Sequence, residues 1–314
     1  MFKLIGNENT KIYRRSRTWI MLSVLLAGII LIAWVLHNKQ TTDANWKQSL
    51  VAQNASTQQR LAKDSAHMPS IAIKGQEQEI QINKYYISHN IDPNKHTTWT
   101  FGITAENLSA LLIAFIVVIA GDIVASEFAS GTIKMLLTQT MTRSQILLSK
   151  YVAILLYALF MTISMFILSL IVGGIFFGFS GMDAPNIYLN ANGTISQMSA
   201  GTNLMMIYGF LFIQIIMTAT IAFMISTIFR SSALAITISI LAYFVGSTLV
   251  HALSSYSWVK YILFANTNLQ QYVQNGPMIK GMTLGFSISM LVAYFVVMIV
   301  LSWSIFAKRD VAYT

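Results

Sequence analysis

Residues whose types and spacing could do chemistry fall in two places. Gly178-Phe-Ser-Gly181 presents a serine on a turn, and hydrolysis at Ser180 would need a histidine within hydrogen-bond reach, for which His251 is the candidate. The five His residues are scattered, and no His-Glu-x-x-His pattern sets two imidazoles on one helix face to hold zinc. The second place runs from Gly121 to Lys150. There Asp122 and Glu127 end an apolar run, and Lys134, Arg143 and Lys150 follow. A charge in hydrocarbon costs several kcal/mol, so two carboxylates at this depth point to salt bridges or a docking contact, with Arg143 or Lys150 as candidate partners of Asp122 and Glu127. Solvated residues at a span end are the alternative.

Other chemistries are excluded by what the sequence lacks. Without a Gly-x-x-x-x-Gly-Lys-Ser/Thr loop the chain has no ordinary cradle for ATP, so any energy must come from another subunit. Without cysteine there is no disulfide, thiolate metal site or cysteine nucleophile. Asn54-Ala-Ser56 and Asn192-Gly-Thr194 match the glycosylation sequon, a pattern frequent by chance.

These residues must be positioned by elements that live in lipid. The 314 residues are 55% hydrophobic and only 10% charged, against about 25% charged in soluble domains. Apolar stretches at about 18–36, 107–126, 150–174, 204–228, 233–252 and 282–306 each approach the ~20 residues needed to cross a bilayer. The first continues into His37-Asn38-Lys39 without a small-residue cleavage site and reads as a retained anchor. The net charge of +9 sits at the ends of these runs and not in an aromatic-interleaved stripe, which excludes a nucleic-acid partner and favours lipid. Lys3, Lys11, Arg14, Arg15 and Arg17, then Lys134, Arg143 and Lys150, then Arg230, then Lys308 and Arg309 all fall on one side of a six-span chain. By the positive-inside rule that side is the cytoplasm, with both termini in it.

The expected organisation is therefore an all-α membrane protein of six transmembrane helices. Residues 1–36 form an N-terminal interfacial helix and the first span, 37–106 an external loop or cap, and 107–314 the remaining five spans. Within the last lie a cytoplasmic hairpin at 127–149 and a re-entrant external segment at 253–281, where Trp258, Tyr261, Phe264, Tyr272 and Pro277 make the chain too aromatic for a plain loop and too interrupted for a span. The 37–106 region holds a helix-like tract from Asp43 to Asp64 and then a mixed stretch with Pro69 and Pro93; it is either a small cap or a solvated spacer. The 175–203 loop, with Asp183, Pro185 and Asn190-Ala-Asn-Gly193, reads as a turn-rich connection. Gly173, Gly174 and Gly178, with Ser164 and Ser169, allow close helix packing or bending at the end of the third span. Seventeen Met and eighteen Phe supply adaptable apolar surface for lipid contact and packing.

In the hairpin, Ile133, Leu136, Leu137 and Met141 recur at helical spacing with Lys134 and Thr138 on other faces, predicting a short amphipathic surface helix that can dock a partner. Thr142-Arg-Ser-Gln145 then fits a capping box that starts the third span at Ile146-Leu-Leu.

This stretch resembles the ABC-2-type permeases, the membrane-spanning subunits of ABC transporters. Glu127, Gly131-Thr132, Lys134, Leu136-Leu137, Thr142-Arg143, Ile146-Leu147-Leu148 and Lys150 match the family's pattern in order and spacing over about thirty residues; Thr140 stands where the family usually has proline. The resemblance implies the type V exporter-like transmembrane domain in a multi-pass chain of the bacterial plasma membrane. It also implies a second permease subunit, identical or homologous, and cytoplasmic ABC ATPase subunits that bind ATP and Mg, so that this chain needs no cofactor of its own and is not itself an enzyme. Glu127, Gly131, Thr132, Lys134, Leu136, Leu137, Thr142, Arg143 and Lys150, with Asp122 beside them, become the coupling contact to the ATPase. The substrate class is then a hydrophobic or amphipathic export such as an antimicrobial peptide or drug. Phe2, Ile5, Ile12 and Tyr13 among Lys3, Lys11, Arg14 and Arg15 are similar to the family's interfacial helix, or serve as a simple positive anchor. Two other readings compete: a non-transporting membrane immunity or scaffold protein, and a rhomboid-like serine protease built on Ser180 and His251.

Because orientation is read from the basic flanks, cysteines placed at Ser56 and Asn192 should react with an impermeant maleimide in intact cells, and one at Ser231 only after permeabilisation. Labelling of Ser231 in intact cells would sink the six-span topology.

Overall fold

The computed structural model describes residues 1–40, 45–64, 68, 70–132, 141–190, 194–273, 276–277, 279 and 281–308. Among the described residues six helices are long and apolar enough to cross a membrane: 16–39, 98–122, 143–177, 200–228, 232–252 and 284–308. An amphipathic helix α1 (Phe2–Arg14) precedes α2 (Ser16–Gln40), the first span. At the break between them Arg15 is extended, and the carbonyls left without helical partners are taken up locally. Thr18 Oγ1 donates to Ile12 O at 2.6 Å and Trp19 Nε1 to Tyr13 O at 2.9 Å.

The second span starts nine residues earlier than hydropathy predicts. α5 (Thr98–Ala105) opens on a Thr97–Thr100 capping box, passes through one 3₁₀ turn at Glu106–Leu108 and continues as α6 (Ser109–Asp122). The polar pair Glu106-Asn107 interrupts the apolar run but not the helix, and Asn107 Nδ2 donates to Thr104 O at 2.9 Å across the turn. A one-turn helix α7 (Ala125–Ala129) follows a second break. The third span, α8 (Arg143–Phe177), begins at the predicted Thr142–Gln145 capping box. Its 35 residues extend about 52 Å at the helical rise, against a hydrocarbon core of about 30 Å, so its ends project beyond the lipid tails. Gly178, at φ 82°, ends it.

α9 (Ala200–Ile228) is the central span: it packs on α5, α6, α8, α10 (Ser232–Ala252) and α12 (Leu284–Lys308). Core side chains converge on it, among them Leu112, Ile116, Tyr157 and Phe223. α2 and α12 are peripheral and turn Ile20, Leu31, Trp34, Val292, Val297 and Val300 outward, as lipid-facing surfaces require. The α6–α10 contact depends on Gly121, where an added Cβ would stand 3.2 Å from the Ile236 Cα.

The connections hold more regular structure than expected. The region assigned to a loop or cap contains two helices, α3 (Trp46–Asp64) and α4 (Ser70–His89), joined by a buried Asn83–Asn54 hydrogen bond of 2.9 Å and by Gln53–Glu79 at 2.7 Å. The 175–203 connection is no plain turn-rich loop: it contains an antiparallel hairpin, β1 (Pro185–Leu189) with β2 (Ile195–Ser199), paired from Pro185 with Ser199 to Leu189 with Ile195. Strictly all-α is thus corrected, among the described residues, to mostly helical with one small two-stranded sheet. In the aromatic segment before the last span, short helical pieces lie at Ser257–Tyr261, α11 (Leu263–Thr267) and Leu269–Tyr272, and the wholly buried Asn266 ties the first two together. Its amide donates to Lys260 O and Ile262 O at 2.7 and 2.9 Å, and its oxygen accepts from Ser287 at 2.6 Å.

Gly121→Val should lower stability by roughly 1–3 kcal/mol, the usual range for overpacking. Gly209→Ala, with no atom within 4 Å of its added Cβ, should leave it near wild type. Thermal unfolding of the detergent-solubilised protein compares the two; equal melting temperatures would mean the α6–α10 approach is slack.

Candidate functional site

At the end of the bundle where α1, α7 and α8 meet, four side chains close a ring of alternating charge. Lys150 reaches Glu8 at 2.9 Å and Glu127 at 3.1 Å; Lys11 reaches the same two carboxylates at 3.1 and 2.9 Å. Lys150 is 1% exposed, so its ammonium has traded water for these two carboxylates. Two positive and two negative charges cancel within the ring, the condition under which buried ions are tolerated. Helical spacing sets half of it, since Glu8 and Lys11 lie one turn apart on α1. The remainder requires three segments distant in sequence to dock.

Glu127 is held by the turn that follows it. Gly131, at φ 72°, ends α7 in a conformation that favours glycine and brings the Thr132 hydroxyl round to donate to the Glu127 carboxylate. Burial alone would raise the Glu127 carboxyl, but the Lys150 charge, outweighing it together with hydrogen bonds from Thr132, Lys11 and Lys150, holds it at about 2. Desolvation opposes the charge on Lys11, yet its hydrogen bond to Glu127 and the charge of Glu8 leave its pKa raised.

A second cluster lies beside the ring. Asp122, 4% exposed at the end of α6, accepts from Arg15 at 2.7 Å, from Arg17 and from Ser232 at the start of α10. Between Asp122 and Glu127 the helix breaks, and the freed N–H groups of Val124 and Ala125 both donate to Ser226 Oγ of α9, at 3.1 and 3.0 Å. Both carboxylates are therefore braced internally and are not solvated residues at a span end.

Of the residues singled out in the sequence, Glu127, Thr132 and Lys150 come together, with Gly131 shaping their turn. Asp122 belongs to the neighbouring cluster. Thr142 and Arg143 stand at the start of α8, where Arg143 donates to Ala307 O at 3.0 Å and Trp303 Nε1 to Ser144 Oγ at 2.9 Å, fastening the third span to the last. Lys134, Leu136 and Leu137, with the amphipathic helix predicted around them, lie outside the described residues. Buried as it is, Lys150 does not offer its ammonium to a partner. Glu8 was missed by sequence reasoning, though it is the one carboxylate in an otherwise basic first 42 residues and precedes Lys11 by three. Ser226 and Ser232 carried no visible signal.

The hydrolytic pair is not assembled in the described residues. Ser180 sits in the exposed turn between Gly178 and Gly181, both with positive φ, and no hydrogen bond joins it to His251, which lines a cavity elsewhere. No group of three or more His, Cys, Asp or Glu among the described residues could hold a metal.

The spans and their ion-paired junction define a helical, multi-pass membrane protein. More narrowly, the chain belongs to the family described as protein of unknown function (DUF2705), whose model matches residues 69–312. It is similar to the uncharacterized protein YhcI of Bacillus subtilis (strain 168), 39% identical over 317 residues that cover 99% of this chain and all of that protein. It also resembles the uncharacterized membrane protein YdbK of the same organism, 31% identical over 208 residues, or 65% of this chain and 80% of that one.

Lys150→Met should destabilise by about 3–5 kcal/mol, since it leaves two carboxylates facing each other without a buried cation. Adding Glu127→Gln should recover part of the loss. The depressed Glu127 carboxyl contributes fully above about pH 4.5, and its contribution fades as pH falls toward about 2. Glu127→Gln should flatten that limb of the stability–pH curve, read by unfolding in detergent; an unchanged limb would mean the ring adds no linkage.

Proposed function

We propose that this chain is the permease subunit of an ATP-driven transporter of the ABC-2 type, with both termini in the cytoplasm. The observation that carries the reading is the segment from Glu127 to Lys150, which leaves the second span and enters the third and is fastened at its ends. Glu127 and Lys150 share the charge ring with α1, and Arg143 grips the end of α12. A push on such a segment is delivered to the first, second, third and last spans together, because ion pairs and, at the last span, hydrogen bonds join them. The ordered match of Glu127, Gly131, Thr132, Lys134, Leu136, Leu137, Thr142, Arg143 and Lys150 to the permease pattern supports the same role. The sequence has no phosphate loop, so the push comes from a separate ATPase subunit, paired with a second permease subunit in the plasma membrane. The inward-turned Glu127 and Lys150 act as the brace that transmits force. The surface between them makes the contact. The cargo class this implies is a hydrophobic or amphipathic export.

The test is purification of the tagged full-length chain from its own cell membranes. A P-loop ATPase should co-elute, and Arg143→Ala, which spares the buried ring, should keep co-elution while lowering stimulated ATP hydrolysis in lipid severalfold. Absence of any ATPase, or undiminished stimulation in Arg143→Ala, would sink the reading.

A further inference from the structure

A second polar feature lies inside the spans, roughly 24 Å along the second span from Asp122 at the helical rise. At the 3₁₀ turn between α5 and α6 the Glu106 side chain enters a cavity of about 270 Å³. Gln214 of α9, Ser247 and His251 of α10 and Gln270 of the aromatic segment share its wall. Phe210 and Phe264 supply aromatic surface. The polar lining is unusual for the depth: Glu106 is the ninth residue of a 25-residue span, about 12 Å from its nearer end.

Charge pairing separates Glu106 from the other carboxylates of the spans and their edge. Glu8, Asp122 and Glu127 each have basic partners within the chain. Among the described residues Glu106 has no ion pair. The titratable groups around it are His251 in the cavity wall and the phenols of Tyr208 and Tyr243, within electrostatic reach. A chain that neutralises its other carboxylates here from within, but gives this one a hydrogen bond from Ser109 and surrounds it with an amide, an imidazole and aromatic rings in place of an ion pair, leaves a place for a cation from outside. The space equals that of about nine water molecules, far beyond a bare alkali ion. One carboxylate matches one positive charge and falls short of the oxygen set a divalent metal requires. Aromatic faces favour a weakly hydrated organic cation.

We infer that this cavity binds a monovalent organic cation, with the charged nitrogen against Glu106 and the apolar body against Phe210 and Phe264. The inference concerns binding by this chain alone and does not rest on the proposed ATPase partner.

Ethidium is a suitable probe, titrated by fluorescence anisotropy against the full-length protein in phosphatidylcholine nanodiscs at pH 8. Saturable binding is expected, weakened at least tenfold by Glu106→Gln, which keeps size and removes charge. Ser247→Phe, which fills the cavity and keeps the carboxylate, should weaken it comparably. Equal affinity in monodisperse wild-type and Glu106→Gln protein overturns the inference, as does no saturable binding to wild type. Undiminished binding to Ser247→Phe overturns the cavity as the site. Displacement by sodium chloride but not by choline chloride at equal ionic strength overturns the ligand class in favour of a metal ion.

Discussion

A primary ammonium almost wholly removed from water is the constraint around which this end of the molecule is arranged. Lys150 lies about 10 Å from the start of a helix that crosses the membrane, where an unpaired charge is not tolerated. Its two carboxylates come from different segments, one from the amphipathic helix before the first span and one from the short helix after the second. Lys11 then closes the ring on the water side, so that neither carboxylate carries a surplus charge. Because the partners belong to separate segments, neutralising one lysine fixes the relative position of α1, α7 and α8. The Asp122 cluster extends the junction to the starts of α2 and α10.

The same low-polarity setting explains how the helices are allowed to break. Each interruption frees backbone groups that lipid cannot satisfy, and each is answered by a small polar side chain. Ser226 accepts from both freed N–H groups after Asp122, Thr18 takes the Ile12 carbonyl, and Asn266 takes two carbonyls in the aromatic segment. Breaks secured this way are defined interruptions, and the one after Asp122 separates α7, with Glu127, from the second span.

How much of this was legible in the sequence depended on the range of the signal. The six spans follow from runs of apolar residues, and the start of α8 follows from Thr142 and Gln145, because both signals are local. Glu106-Asn107 hid the first third of the second span, since a polar pair lowers hydropathy without ending a helix whose carbonyl is met by Asn107 itself. The β-hairpin was hidden by its turn residues, and α4 by its Gln, Glu and Asn content, which reads as loop until Asn83 finds Asn54 on α3. At the site, the Glu127–Lys150 pair was among the expected possibilities. Glu8 was not, because its partner is 142 residues away. Pairings of that kind depend on the packed arrangement of spans, and no spacing rule along one chain contains them.

The separation of Glu8 from Lys150 also sets an order of assembly. Chains are made from the N-terminus at about 5–20 residues per second, so 142 residues correspond to about 7–30 s between the emergence of the two. During that interval the first helix has been synthesised but lacks the cation that lets Glu8 leave water, and it stays at the lipid–water boundary with its carboxylate hydrated. Its final seat opens only when the third span has been inserted, which makes α1, synthesised before any of the six spans, one of the later parts to be locked in place.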